Sequence, residues 1–382
     1  MSQKPDITDL TICRAAFAAW VFVYYLDLHL HFSQALGPFS ALIAHGYMGI
    51  DGFFILSGLI LLHTHREFDA IATGYFDVEF RWPSRGAVLR FYAKRLARIY
   101  PVHLATILIL LALLTCGPLG AAPQVLQRFG IATLAKSLLL AQGWGTDHFE
   151  ALNYTAWSIS TEWAGYLLFP FFALIPTYFI REVSVQIIIM VFPLLGLIYF
   201  FSGRTLNLAF GAGLIRFFPE FLSGMAAFRI AGAVADHLFV RRLFLGGGAT
   251  LVFVGSATGA DLATVLGLWA LIFGFYLQAD AQRPPVLGRR PVLHFLGLLS
   301  YCFYMSFAIS ELFTLQVFRH FGWQPMDEKL FFAALVTGIA FVLAVLLRSF
   351  VEQPCRRAID RWLQTVQATS PAAATEKPQS LF

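Results

Sequence analysis

The sequence predicts an all-α, polytopic membrane protein of about ten transmembrane helices with both termini cytoplasmic. Three observations carry this. The chain is 58% hydrophobic and only 13% charged, whereas a soluble domain carries about 25% charge. Apolar runs near 20 residues recur along its length, enough to cross a hydrocarbon core about 30 Å thick. Finally, Arg66, Arg81, Arg85, Arg90, Lys94, Arg95 and Arg98 crowd between two of those runs. Such a basic island stays on the cytoplasmic side and orients the spans around it.

In order, apolar helices read at 10–30, 46–64, 99–117, 158–180, 184–201, 207–228, 243–258, 262–278, 294–317 and 330–350. The polar start, with Arg14 interrupting the first run, is not a cleavable signal peptide. Ile131 to Gln142 is too short to cross and carries Lys136 at its middle. If it does not cross, most of the 27 Lys and Arg fall inside, leaving Arg128, Lys136, Arg204, Arg319 and Lys329 outside and Arg14 and Arg216 in the membrane. If it crossed, the basic segments at 181, 229–242 and 283–290 would all turn outward, against the positive-inside rule. The segment 131–142 is therefore expected to be a re-entrant or surface helix within an outer loop. A single transmembrane domain over 1–363 is expected, followed by a disordered cytoplasmic tail, 364–382, rich in Ala, Ser, Thr and Pro. The net charge of +5 follows from inside-facing loops and does not point to nucleic acid. The four cysteines are scattered and suggest neither a disulfide framework nor a zinc site; no metal is expected.

Ionisable residues inside the membrane are costly and mark function by default. Arg14 lies near the inner end of span 1. Tyr25 is eleven residues on, about 16 Å up the axis and on nearly the same face; His29 and His31 follow at the outer end. Span 2 carries Asp51 and Ser57. Span 4 carries Trp157, Ser158, Ser160 and Glu162. His29, Asp51 and Glu162 are expected at similar depth, the composition of a general-base site. Plainer readings stand beside these: Arg14 snorkelling to the interface, Asp51 capping its helix, and Glu162 as half of a structural pair. Arg216 and Glu220, four apart, read as an intrahelical ion pair, and His103 as a packing residue. Asn153-Tyr-Thr155 fits a weak glycosylation sequon.

Six segments, in order, resemble the acyltransferase-3 family of integral membrane O-acyltransferases, over nearly the whole chain. They are Leu10-Thr-Ile-Cys-Arg14-Ala-Ala-Phe-Ala-Ala-Trp-Val, Gly46-Tyr-Met-Gly-Ile-Asp51-Gly-Phe-Phe-Ile-Leu-Ser57-Gly58 and Phe91-Tyr-Ala-Lys-Arg95-Leu-Ala-Arg98-Ile-Tyr-Pro101. Next come Trp157-Ser-Ile-Ser-Thr-Glu162, then Ser300-Tyr301-Cys-Phe-Tyr304, and finally Val351-Glu352-Gln-Pro354. The resemblance implies transfer of an acyl group, by family habit acetyl, from cytoplasmic acyl-CoA (acetyl-CoA) to a sugar hydroxyl across a bacterial inner membrane. Its acceptors are exopolysaccharide, lipopolysaccharide, peptidoglycan or small glycosides. Exopolysaccharide is the expectation here, because no appended extracytoplasmic domain is present.

The resemblance also assigns residues. Arg14 is a functional first-span residue, Arg95 and Arg98 bind the donor, and Glu162 is an active-site carboxylate. Beyond what the resemblance assigns, Arg85 and Arg90 are expected to join the two arginines around the nucleotide phosphates, with the donor's arm passing Arg14. Where the family has histidines, this chain has Tyr25 and Phe307. Tyrosine, with a reference pKa near 10, is a poor base at neutral pH, so His29 is the first substitute, with Asp51 or Glu162 as others. Tyr25, Ser57 or Ser160 is expected to donate to an oxyanion. Trp157, Ser160, Asn153 and His148 are expected to meet the sugar. Two other classes stay open: a glycan transporter, and a non-catalytic partner of a polysaccharide synthase or secretion complex.

Overall fold

The computed structural model describes residues 7–68, 83–115, 130–145, 152–174, 180–209 and 211–368. Among them the ordered structure is helical throughout. The helices are α1 Thr8–Leu30, a short α2 Ser40–Ala44, α3 Gly49–Thr64, α4 Arg85–Thr115, α5 Ile131–Leu138, α6 Trp157–Leu174 and α7 Ile180–Phe201. They continue with α8 Gly213–Val234, α9 Leu238–Thr258, α10 Asp261–Asp280, α11 Pro291–Phe321, α12 Lys329–Leu347 and α13 Gln353–Ala368. Eight helices among the described residues are long and apolar enough to cross a membrane. The other two expected spans also fold as helices, α6 with 18 residues and α7 with 22.

Two boundaries depart from the apolar runs for clear reasons. The third run was expected to begin at 99, yet α4 begins at Arg85 and is one continuous helix of 31 residues. Charge ends a hydrophobic run but not a helix: Arg, Lys, Leu and Ala are strong helix formers, and the Ser84 hydroxyl accepts the Ala87 N–H at 3.2 Å to cap the start. The sixth run was expected from 207, yet α8 starts at Gly213. The buried Asp261 carboxylate accepts the Leu206 N–H at 2.7 Å and the Tyr47 hydroxyl at 2.8 Å, which holds the preceding segment as a loop. α13 runs to Ala368, past the expected start of the tail at 364; residues 369–382 lie outside the described set.

α5 has eight residues, about 12 Å of helix, and cannot cross. Leu134 and Leu138 cluster with Leu111 and Leu114 of α4. Three residues further along, the Ser137 carbonyl bonds His103 at 2.7 Å, deeper along α4. The segment thus enters beside α4, then turns, and the turn docks on the start of α6. There the Gly143 N–H donates to Ser160 Oγ at 3.0 Å, and the Trp144 indole donates to the Ser160 carbonyl at 2.8 Å. This is the short element expected as a re-entrant or surface helix, with its tip beside α6.

Around the centre, α3 crosses α8 at contact distance because glycine permits it. A Cβ on Gly58 would lie 1.9 Å from the Phe221 carbonyl oxygen, and one on Gly224 would lie 2.0 Å from the Ile55 oxygen. Small residues at such crossings let helix backbones meet. α11 is anchored to α4 by the Tyr301 hydroxyl donating to the Ile99 carbonyl at 2.6 Å, and α4 to α6 by Tyr92 donating to the Leu167 carbonyl at 2.9 Å. These anchors bring α1, α3, α4, α6 and α11 around one interior space.

Candidate active site

That space is a cavity of about 820 Å³, counting its open mouth. Its polar lining is Arg14 from α1, Ser57 from α3, Arg95 and Arg98 from α4, Ser158, Glu162 and Tyr166 from α6, and Ser300, Tyr301 and Tyr304 from α11. The apolar remainder, including Phe53, Phe54, Leu56 and Ile159, gives the mixed lining typical of a small-molecule pocket.

Glu162 is fixed from two helices. The Ser57 hydroxyl donates to its Oε1 at 2.7 Å, and the Tyr166 hydroxyl, one turn along α6, donates to the same oxygen at 2.6 Å. The side chain is partly open to the cavity, so its other oxygen is presented there. Arg14 lies within electrostatic reach of Glu162, Arg98 and Glu352. Arg95 is buried and held over the faces of Phe91 and Tyr166, at 5.8 and 5.6 Å. Its Nη2 donates to His65 Nε2 at 2.7 Å. An arginine only donates, so His65 is a neutral acceptor with its proton on Nδ1. Three guanidiniums therefore share one cavity with one lining carboxylate, an excess of positive charge suited to an anionic ligand.

Below this cluster a second opening, lined by Thr64, Lys94, Arg95, Arg98, Arg356 and Asp360, shares Ile60, Arg95 and Arg98 with the cavity. The two arginines thus stand at the neck between a basic vestibule and the interior. Arg85 and Arg90, expected with them, line neither space: Arg85 is exposed and Arg90 half-buried on the first turns of α4.

On the opposite side of the cavity a line of hydroxyls leads away. Ser158 donates to the Tyr304 hydroxyl at 3.0 Å. Tyr304 and Trp157 stand beside Tyr25. Tyr25 packs against Tyr154 with ring centres 5.3 Å apart. The Tyr154 hydroxyl donates to Glu311 Oε2. Burial, with the Glu311 carboxylate alongside, pushes that hydroxyl well above its ordinary range, so it stays a donor. Glu311 Oε1 meets His29 Nε2.

The expected trio of His29, Asp51 and Glu162 is therefore divided among three places. His29 pairs with Glu311 at the end of the line, and Glu162 lies in the cavity. Asp51 lies in neither place. It is fully buried and gripped by Arg216, whose Nε donates to Oδ1 at 2.6 Å while Nη2 donates to Oδ2. The expected pair within the helix is present as an ion pair, Arg216 Nε to Glu220 Oε1 at 3.9 Å, without a hydrogen bond. The stronger partner comes from α3.

The expected sugar contacts also fall inside the protein. Ser160 is fully buried and donates to the Leu140 carbonyl at 2.6 Å, securing the re-entrant turn. Asn153 is buried, donates to the Met305 carbonyl at 3.1 Å and accepts the Thr155 hydroxyl at 2.7 Å, so the sequon is a helix-start device. Trp157 is buried against Phe54. His148 lies outside the described residues. Among the described residues no three His, Cys, Asp or Glu side chains gather as a metal-ligand group.

Two participants escaped the sequence reading. His65, at the end of an apolar run, carries no motif in the sequence, yet it secures Arg95. Glu311 was passed over, although a lone carboxylate in the run 294–317 is the signal that marks an intramembrane site.

Comparison with known proteins agrees with the site. The acyltransferase domain family, acyltransferase-3, matches residues 10–348. Acyltransferase MdmB from Streptomyces mycarofaciens is 26% identical over 365 residues, covering 88% of this chain and 87% of that protein. No solved structure matches. With five of the six motifs lining one cavity among apolar helices long enough to cross a membrane, and the family match running over nearly the whole chain, the protein belongs to the acyltransferase-3 family and is an integral membrane acyltransferase.

Proposed function

We propose that the protein moves an acyl group, acetyl by family habit, from cytoplasmic acyl-CoA to a hydroxyl of an extracytoplasmic polysaccharide or other glycan. It does so in a bacterial inner membrane. The observation that carries this reading is the neck at Arg95 and Arg98, where a basic vestibule on the side of the cationic loops opens into a cavity with a fixed carboxylate. The donor's phosphates lie among Lys94, Arg95, Arg98 and Arg356, where charge-assisted bonds suit them. Its pantetheine arm passes Arg14, and the open oxygen of Glu162 accepts from an amide of that arm, fixing the thioester in the cavity. The acceptor enters from the opposite end. Its oxygen attacks the thioester carbonyl, the C–S bond breaks and the thiol is released. Tyr304 and Tyr25, neighbours along this path, donate to the oxyanion.

The test is purified protein in lipid nanodiscs with labelled acetyl-CoA and a panel of glycans, scored for thiol release and labelled product. Product without glycan dependence, or no CoA binding at all, removes the reading and leaves transport or a non-catalytic role. Sidedness is tested separately. Cysteine at Arg85→Cys should label only from the cytoplasm and cysteine at His31→Cys only from outside; labelling from one compartment defeats a two-sided transfer.

A further inference from the structure

The outer end of α1 carries a side-chain arrangement that none of the family motifs contains. Glu311 is only 4% exposed, yet both of its oxygens are engaged from other elements. His29 Nε2 meets Oε1, and the Tyr154 hydroxyl donates to Oε2. The His29 side chain is 45% exposed, so one edge of the imidazole faces outward while the other is held. The helix end beneath it is pinned, since Asp27 accepts the Ser33 N–H at 2.7 Å and the Ser33 hydroxyl at 2.6 Å. Tyr154 belongs to the turn Tyr154–Ala156 that leads directly into α6. The pair is thereby tied to the same helix that carries Glu162, and Tyr25, Tyr304 and Ser158 connect it to the cavity.

Resting on the acyl-transfer reading above, we propose that Glu311 is a positioning residue that holds His29 as the general base, replacing the imidazole the family carries at position 25. An ionised carboxylate only accepts, so Nε2 carries the imidazole proton and Nδ1 presents a lone pair to the exposed side. Nδ1 takes the proton of the acceptor hydroxyl as its oxygen bonds to the thioester carbonyl. When the C–S bond breaks, the leaving thiolate recovers that proton from the imidazolium, giving ester and free thiol with the imidazole restored. The carboxylate orients the ring and stabilises its charged form throughout.

The experiment compares wild type, His29→Gln, Glu311→Gln, Glu311→Asp and the double variant His29→Gln/Glu311→Gln in nanodiscs. The readouts are kcat, CoA affinity, and diethyl pyrocarbonate labelling of each histidine mapped by mass spectrometry. His29→Gln should lower kcat on the order of 10²-fold or more, and Glu311→Gln about 10–100-fold. CoA affinity should stay within about twofold, and Glu311→Asp should recover part of the loss. The double variant should be no slower than His29→Gln alone, as groups acting as one unit require. Labelling at His29, but not at His31, should change in Glu311→Gln. Full kcat in Glu311→Gln, multiplying losses in the double variant, or unaltered His29 labelling overturns the proposal while the acyl-transfer reading stands. Wild-type protein that binds CoA but transfers to no acceptor removes both.

Discussion

Two charge clusters occupy the interior of this protein, and they are built to opposite ends. Arg216, Asp51 and Glu220 are each fully buried, and Arg216 clasps Asp51 through two of its nitrogens. Arg14, Arg95 and Arg98 surround Glu162, but they do so around empty space. In the first cluster Arg216 and Asp51 clasp each other across the α3–α8 contact, with Glu220 buried beside them and making no hydrogen bond. In the second, three cations face one lining carboxylate, and that carboxylate is occupied by two neutral hydroxyls rather than by an arginine. A matched, dry ion pair is a fastening; an unmatched one on a cavity is a site. Buried charge is therefore not by itself a sign of function. What decides is whether a ligand can reach it.

The comparison breaks most visibly at Arg216. Arg216→Met leaves two carboxylates buried without their cation and should destabilise the protein by about 3–5 kcal/mol, as uncompensated buried charges do. Denaturant or thermal unfolding in nanodiscs measures this. Replacing the three groups together, Arg216→Met, Asp51→Leu and Glu220→Leu, should recover most of that stability with CoA affinity intact. An unstable triple variant would mean that the cluster does more than fasten.

The next effect is at Glu162. Glu162→Gln keeps its size and should leave folding near wild type and weaken CoA binding only by roughly tenfold or less, the loss of one contact to the arm. It should lower transfer on the order of 10²-fold, the cost of misplacing a reacting group by about an ångström. Retained transfer removes Glu162 from the chemistry. Arg95→Ala with Arg98→Ala should then weaken CoA binding by roughly 30-fold through loss of charge-assisted contacts, measured by titration calorimetry. Unchanged affinity refutes the donor neck. The smallest effect is expected at Arg85→Ala and Arg90→Ala, which should change CoA affinity by no more than about twofold, because neither side chain lines the cavity or the vestibule. A larger loss there would extend the donor site onto the first turns of α4.

A similar contrast separates the two surfaces of α6. Its cavity face carries Ser158, Glu162 and Tyr166, spaced one turn apart, while Ser160 and Thr161 point to the re-entrant turn and to Gly213. In the sequence Trp157-Ser-Ile-Ser-Thr-Glu162 these residues are equal candidates for substrate contact. Helical periodicity sorts them only once the neighbour on each side is known.

The class of the protein, its repeated spans, the short non-crossing segment and the membership of Arg14, Arg95, Arg98 and Glu162 in one site were legible in the sequence. They depend on quantities local to the chain: hydrophobic length against bilayer thickness, the distribution of Lys and Arg, and the order of short motifs. The partners of those charges were not legible. Asp51 meets an arginine 165 residues away and His29 a glutamate on α11. Which of several lone charges pair, and which are left facing a cavity, depends on how helices distant in sequence cross, and close approaches such as Gly58 on Phe221 set those crossings. Burial and solvent access are properties of the assembled bundle, so only the tertiary structure divided one list of intramembrane charges into a buried clasp, a cavity lining and a paired imidazole.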